Sequence, residues 1–213
     1  MMTITIFGAT GHVGKHLVQQ ALGKGYFVKA FGRNIDNLID KDLRSDQFTA
    51  IKGYVFEEKD VLKALEGSDA VISVLGGSFD GKDKTRSLGL KNILTQMDHA
   101  GLKRIVALGG MGILDDESGN LLIDNPDYPQ EYLPVGMEHL QAFRFLQASD
   151  ADWTFVCSPD ILNGDKTGKY ITSTDHLPSP NHSQINAGDL ADFMLQELTA
   201  NHYLKKRVGI SRL

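Results

Sequence analysis

The chain opens on a strand that runs straight into a glycine-spaced turn. Thr3–Phe7 is β-branched or apolar, and Gly8, Gly11 and Gly14 follow at three-residue intervals. No other stretch constrains the fold as much. Thr3–Phe7 reads as a buried strand, and the residues from His12 onward read as the start of a helix. Each glycine then has a task. Gly8 turns the chain sharply, Gly11 lets main chain approach a pyrophosphate, and Gly14 lets the helix pack close to the sheet. The helix aims its N-terminal amides and positive dipole end at that pyrophosphate, with Thr10, His12 and Val13 beside it. A ligand-free βα turn uses the same spacing. The strand–turn–helix context and the Ala9-Thr10 pair favour dinucleotide binding.

Downstream, apolar runs alternate with helical patterns. Strands are expected over residues 26–31, 48–52, 69–75, 103–108, 153–157 and 207–210, and helices over 12–22, 57–66, 85–100, 136–147 and 187–199. The helix 85–100 should bury Leu88, Leu90, Ile93, Leu94 and Met97. The run from Asp69 to Leu75 is nearly all apolar, as a parallel strand buried on both faces should be. This alternation predicts an α/β fold, a single doubly wound parallel sheet over residues 1–213 in the order 3-2-1-4-5-6-7, with a small C-terminal lobe on the substrate side. The irregular stretch 109–134 is too long for a plain connection and reads as a functional loop or lid. Asp115, Asp116 and Glu117 in it read as solvated, as does the basic run Lys205-Lys206-Arg207.

Composition excludes several classes. With 41% hydrophobic and 23% charged residues the chain is an ordinary globular one. A net charge of −5 argues against a nucleic-acid surface. No apolar run reaches the ~20 residues of a membrane span. The one cysteine, Cys157, forms no internal disulfide and reads as a buried, inert thiol; with no secretory leader in view, a cytoplasmic setting is expected. His12 and His16 stand four apart but lack a third ligand nearby, so no metal site is expected.

The second strand ends Phe31-Gly32-Arg33-Asn34, with no carboxylate before Asp36. An acid there would receive the adenosine ribose and indicate NAD. Arg33 instead stands where a guanidinium can meet a 2′-phosphate, which favours NADP(H) and leaves NAD(H) open. Tyr54 and Val55 are placed to flank an adenine. Leu75, Gly76 and Gly77 would let a ribose and pyrophosphate pass close to main chain.

At this point the chain resembles the atypical, short NAD(P)-binding branch of the short-chain dehydrogenase/reductase superfamily, a family of Rossmann domains. GATGHVG, Arg33, DAVISVLGG and RIVALGG match its pattern in order. Ser158-Pro159-Asp160-Ile161, then Thr167-Gly168-Lys169-Tyr170, then Asp189-Leu190-Ala191-Asp192-Phe193-Met194 are similar to the flavin reductase/biliverdin-IXβ reductase group and its NmrA-like relatives. The resemblance implies that Leu108, Gly109 and the turn Pro159, Asp160 and Ile161 lie against the nicotinamide, and it places a histidine of the flavin reductases at His139, to donate a proton or orient a substrate; an exposed helix residue with no such task is the alternative there. It departs from the wider superfamily at one decisive place: no Tyr-x-x-x-Lys occurs, and Tyr132 has Gly136 four residues on. The lysine-lowered tyrosine of carbonyl reduction is therefore missing.

Flavin reduction suffers less from that loss, because it needs chiefly two flat rings held face to face in a dry pocket. Gly109, Gly110 and Gly112 are expected to open room for a planar substrate, with Met111, Tyr128 and Tyr132 as walls. The resemblance thus implies an NADPH-dependent reductase of a small planar acceptor: a free flavin, linear tetrapyrrole or quinone. The alternative is a non-catalytic NADP(H) sensor that presents the cofactor to a protein partner. An isomerase or epimerase is disfavoured by the absent tyrosine. A monomer or weak dimer is expected.

Overall fold

A computed structural model describes residues 2–38 and 46–213. Its centre is an eight-stranded sheet in the order β3-β2-β1-β4-β5-β6-β10-β8. The strands are β1 (Thr3–Phe7), β2 (Phe27–Gly32), β3 (Phe48–Lys52), β4 (Ala70–Ser73), β5 (Arg104–Gly110), β6 (Asp152–Ser158), β8 (Tyr170–Thr174) and β10 (Lys206–Arg212). Seven of them run parallel in the order expected, β10 being the seventh. β8 was not expected. It joins β10 antiparallel and makes the sheet's edge. A small parallel pair, β7 (Asp160–Leu162) and β9 (Gln184–Asn186), forms the C-terminal lobe.

Helices cover both faces. α1 (His12–Gly23) and α5 (Ala187–Ala200) bury one core around Ile4, Ile6 and Leu17. α2 (Glu58–Leu65), α3 (Leu90–His99) and α4 (Leu133–Gln147) bury the other around Phe7, Phe31, Ile105 and Phe155. The doubly buried strands explain their apolar runs. Phe7 and Phe31 touch across β1 and β2, ring centres 4.9 Å apart.

The expected helix 85–100 is two segments. Thr85–Gly89 winds as a single π-turn before α3 begins. The wider π winding rotates the helix face. Leu90, Ile93, Leu94 and Met97 are buried as expected, but Leu88 is exposed. The turn is latched by Glu138 of α4, which is buried and accepts from Lys84 Nζ (2.7 Å) and Ser87 Oγ (2.6 Å).

Two surface expectations fail. Asp115 and Arg207 are not solvated but form a largely buried ion pair that fastens the long loop to β10. Asp175 joins them, paired with both Lys206 and Arg207. The C-terminal motifs act as a clasp. Asp189, fully buried at the start of α5, accepts from Thr167 N (2.7 Å), Thr167 Oγ1 (2.8 Å) and Gly168 N (2.7 Å). Asp192 accepts from Lys166 (2.8 Å) and Gln196 (2.6 Å). Gly188 permits the close approach, since a β-carbon there would lie 2.2 Å from Lys166 N.

Candidate functional site

The carboxyl ends of β1, β2, β4, β5 and β6 open into one cleft of about 870 Å³, within the range of small-molecule sites. Gly8 sits at its floor with a positive φ of 83°, and its missing side chain is required by the fold, because a β-carbon would stand 2.4 Å from Val74 O. Gly14 is likewise held by the fold, with Gly8 O 2.2 Å from such an atom. Gly11 differs. A β-carbon there would meet only Gly8 O, at 3.4 Å, and would otherwise project into the cleft. Gly76 is freer still, with no protein atom within 4 Å of that position. The fold therefore does not demand glycine at Gly11 and Gly76.

Gly11 is the N-cap of α1, and no side chain caps it. The first turn carries no acid, so its amides and dipole face the cleft uncompensated, a natural seat for phosphate. Thr10, His12 and Val13 line the same end. Arg33 stands exposed on the wall just beyond β2. Asp36, the first acid after β2, turns away to pair with Lys52 at 3.5 Å. Tyr54 is held by its main-chain N–H on Asp60 (2.9 Å) and Val55 by its carbonyl on Asn92 (2.8 Å). Val55 is buried, and the Tyr54 ring stands out beside it.

The other end is built by β4, β5, β6 and α4. Leu75, Gly76, Leu108, Gly109, Gly110, Met111, Tyr132, His139, Pro159, Asp160 and Ile161 all line the cleft. Gly77 does not; its carbonyl accepts from Arg86 (2.9 Å). The glycines after β5 do not open the room expected of them. The protein's own side chains take the space a side chain would need: a β-carbon would stand 2.4 Å from Phe155 at Gly109, 2.7 Å from His139 at Gly110 and 2.6 Å from the Tyr128 hydroxyl at Gly112. The glycines let these groups close on the cleft instead. Tyr128, Phe79, Arg86 and Ser183 also line the cleft. Arg86 carried no sequence signal; only the π-turn swings it onto the wall.

His139 is half-buried, with its Nδ1 sealed from solvent and unpartnered. Burial, helped by the Arg86 charge, brings its pKa down to about 3. It is thus a neutral imidazole near pH 7 and holds no proton to give as an imidazolium. An unpaired lone pair on Nδ1 costs less than an unpaired N–H, which places the proton on Nε2, on the side of Gly110. Burial raises the Tyr128 pKa, with Tyr132 adding to the rise, so the phenol stays a donor. Cys157 lies buried in β6, its thiol pushed up by desolvation, and takes no part in the wall. Among the described residues no group of His, Cys, Asp and Glu could hold a metal ion, and no helix is long and apolar enough to cross a membrane.

The profile of a family described as NAD(P)H-binding matches residues 8–201, from the glycine turn to the end of α5. The chain belongs to this NAD(P)H-binding family. The uncharacterized protein YwnB of Bacillus subtilis is 26% identical over 220 residues, covering 98% of each chain. Two solved structures are similar along their whole length. A proposed NADH-flavin reductase of Streptococcus pneumoniae superposes with a TM-score of 0.82 at 27% identity, covering 100% of both chains. A proposed epimerase of Bacteroides thetaiotaomicron gives 0.83 at 26%, covering 100% of this chain and 97% of the other. The NAD(P)H-binding Rossmann fold follows from these matches together.

Proposed function

We propose that this protein is an NADPH-dependent reductase of a planar conjugated acceptor such as a free flavin, a linear tetrapyrrole or a quinone. One observation carries the reading. A single cleft runs from an uncapped helix N-terminus to a mouth of exposed apolar residues, and nothing along it resembles a lysine-activated acid. Five of the large apolar residues left exposed among the described residues, Tyr54, Phe56, Phe79, Tyr132 and Ile161, line this cleft. Such walls suit flat rings better than a small hydroxy-carbonyl substrate.

The residues fit the cofactor. Gly11 and Gly76 leave room that the fold itself does not need, the α1 amides meet the pyrophosphate, and Arg33 meets the 2′-phosphate. The absence of a ribose-binding acid, with Asp36 paired elsewhere, supports NADP(H) over NAD(H). When bound, the reduced nicotinamide supplies a hydride, and the one proton that completes the reduction comes from water. The chain's own part is to orient and dry the pair. Pro159, Asp160 and Ile161 close one side, while Leu108 and Met111 close another. His139 Nε2–H and the Tyr128 hydroxyl offer hydrogen bonds to acceptor heteroatoms. The proposed flavin reductase among the similar structures supports this acceptor class.

The test is oxidation of NADPH by the pure protein with FMN, riboflavin, biliverdin and a simple quinone, followed at 340 nm. Turnover with at least one is expected. NADPH that binds tightly and stays reduced with all of them would instead favour the sensing role, which the exposed apolar mouth also suits. Failure to bind any nicotinamide nucleotide would refute both.

A further inference from the structure

Three fully charged side chains line the cleft: Arg33, Asp160 and Arg86. Arg33 is accounted for at the adenosine end. Arg86 is not. It reaches the wall from the π-turn, close enough to His139 for its charge to disfavour the imidazolium. Its guanidinium lies over the Phe79 ring, 5.5 Å from the centroid. Nη1 donates to Ser78 O and Nη2 to Gly77 O, each at 2.9 Å. Those two bonds fix the plane of the fork and use two of its five N–H groups.

Asp83 and Glu138 favour its charge, but neither lies within ion-pair distance of it, and desolvation outweighs them. Among the described residues Arg86 makes no ion pair, although it is half-buried and desolvation disfavours its charge. The acids nearby are engaged. Glu138 accepts from Lys84 and Ser87, and Asp83 accepts from the Thr85 main chain at 2.9 Å. A cation that is held rigid, partly desolvated and outside any ion pair is costly unless something negative completes it. The cofactor's phosphates already have the α1 amides and Arg33, whereas Arg86 sits beside Phe79 and His139.

We propose that Arg86 is an anion anchor for the acceptor, and that the preferred substrate is a planar conjugated molecule bearing a phosphate or carboxylate. This rests on the reductase reading above. The free N–H groups of the fork receive the oxyanion, and Phe79 caps the guanidinium from its other side.

FMN and riboflavin share one ring system and differ by a phosphate, so they isolate the effect. With NADPH and native protein, KM for FMN should lie roughly tenfold or more below that for riboflavin, and the gap should narrow at 0.5 M NaCl. Arg86→Met should raise KM for FMN by about ten- to a hundredfold and leave riboflavin and NADPH within about twofold. Arg86→Lys, which keeps charge without the fork, should fall between and covers the case in which the methionine variant misfolds. Equal KM values for the two flavins in native protein would overturn the proposal, and so would a loss in Arg86→Met confined to NADPH. If neither flavin is reduced, flavin drops out as the acceptor, and calorimetry on the NADP+-saturated protein still decides the anchor. Tighter binding of FMN than riboflavin, lost in Arg86→Met, supports it; equal or absent FMN binding sinks it.

Discussion

Arg207 donates through both terminal nitrogens to the Asp115 carboxylate, Nη1 at 2.8 Å and Nη2 at 2.6 Å. Nη1 also donates to Ile113 O at 2.8 Å, and the guanidinium lies over the Phe143 ring, 5.1 Å from its centre. A strand near the end of the chain thus grips the start of the long loop that forms one cleft wall. Asp115→Asn keeps the shape and removes the charge. It should destabilise the protein by about 2 kcal/mol, the scale of a charge-assisted hydrogen bond, and lower Tm by roughly 4–8 °C. Differential scanning calorimetry measures this. A Tm unchanged within a degree would show that the pair contributes nothing.

The glycine turn separates fold from ligand. Gly11→Ala places its β-carbon 3.4 Å from Gly8 O and otherwise in the open cleft. It should cost the apo protein no more than about 1 kcal/mol, yet weaken NADPH binding by roughly tenfold or more. Gly14→Ala drives an atom to 2.2 Å from Gly8 O and should destabilise the apo protein by about 3 kcal/mol or more. Parallel melting curves and NADPH titrations distinguish the two. Equal damage to stability in both variants would remove the ligand argument for Gly11.

Arg33→Gln deletes a charge from an exposed side chain on the wall. It should raise KM for NADPH by about ten- to a hundredfold and leave NADH within about twofold. Steady-state kinetics with both nucleotides checks it. A proportional rise for both would argue that Arg33 reads something other than the 2′-phosphate.

The sign of the pH effect follows from His139. Its folded pKa of about 3 lies below the ordinary 6.5, so the unfolded chain takes up the proton first as pH falls. This group leaves stability untouched above about pH 6.5 and erodes it progressively from there down to about pH 3. The urea midpoint should therefore fall less between pH 7 and pH 5 in His139→Gln than in native protein. In NMR spectra one of the seven histidines should not titrate between pH 5 and pH 8. Seven ordinary titration curves would contradict the buried, neutral ring.

Legibility varied with how local the cause was. The β1–turn–α1 unit needs only neighbours in sequence: an apolar run, three glycines at fixed intervals, and an apolar stripe on the helix. The same holds for Asp36 standing too late in the chain to act as the usual ribose acid, and for the missing lysine after each tyrosine. The stripe of α3 was readable from Leu90 onward, where α-helical periodicity applies, and misleading at Leu88, where the π-turn breaks it. Buried Glu138 explains why that turn forms, but it sits fifty-one residues from Ser87, beyond any local pattern.

Local path was settled by the order of residues alone: a strand–turn–helix that bares uncapped amides to the cleft, and an arginine in place of an acid at the end of β2. Which side chains meet was decided only in three dimensions. Gly110 turned out to make room for His139 and Gly112 for the Tyr128 hydroxyl, and Arg207 pairs with Asp115, 92 residues away. The physical reason is that main-chain conformation follows from neighbours a few residues off. Desolvation, charge pairing and steric complementarity depend on whatever the finished packing brings alongside.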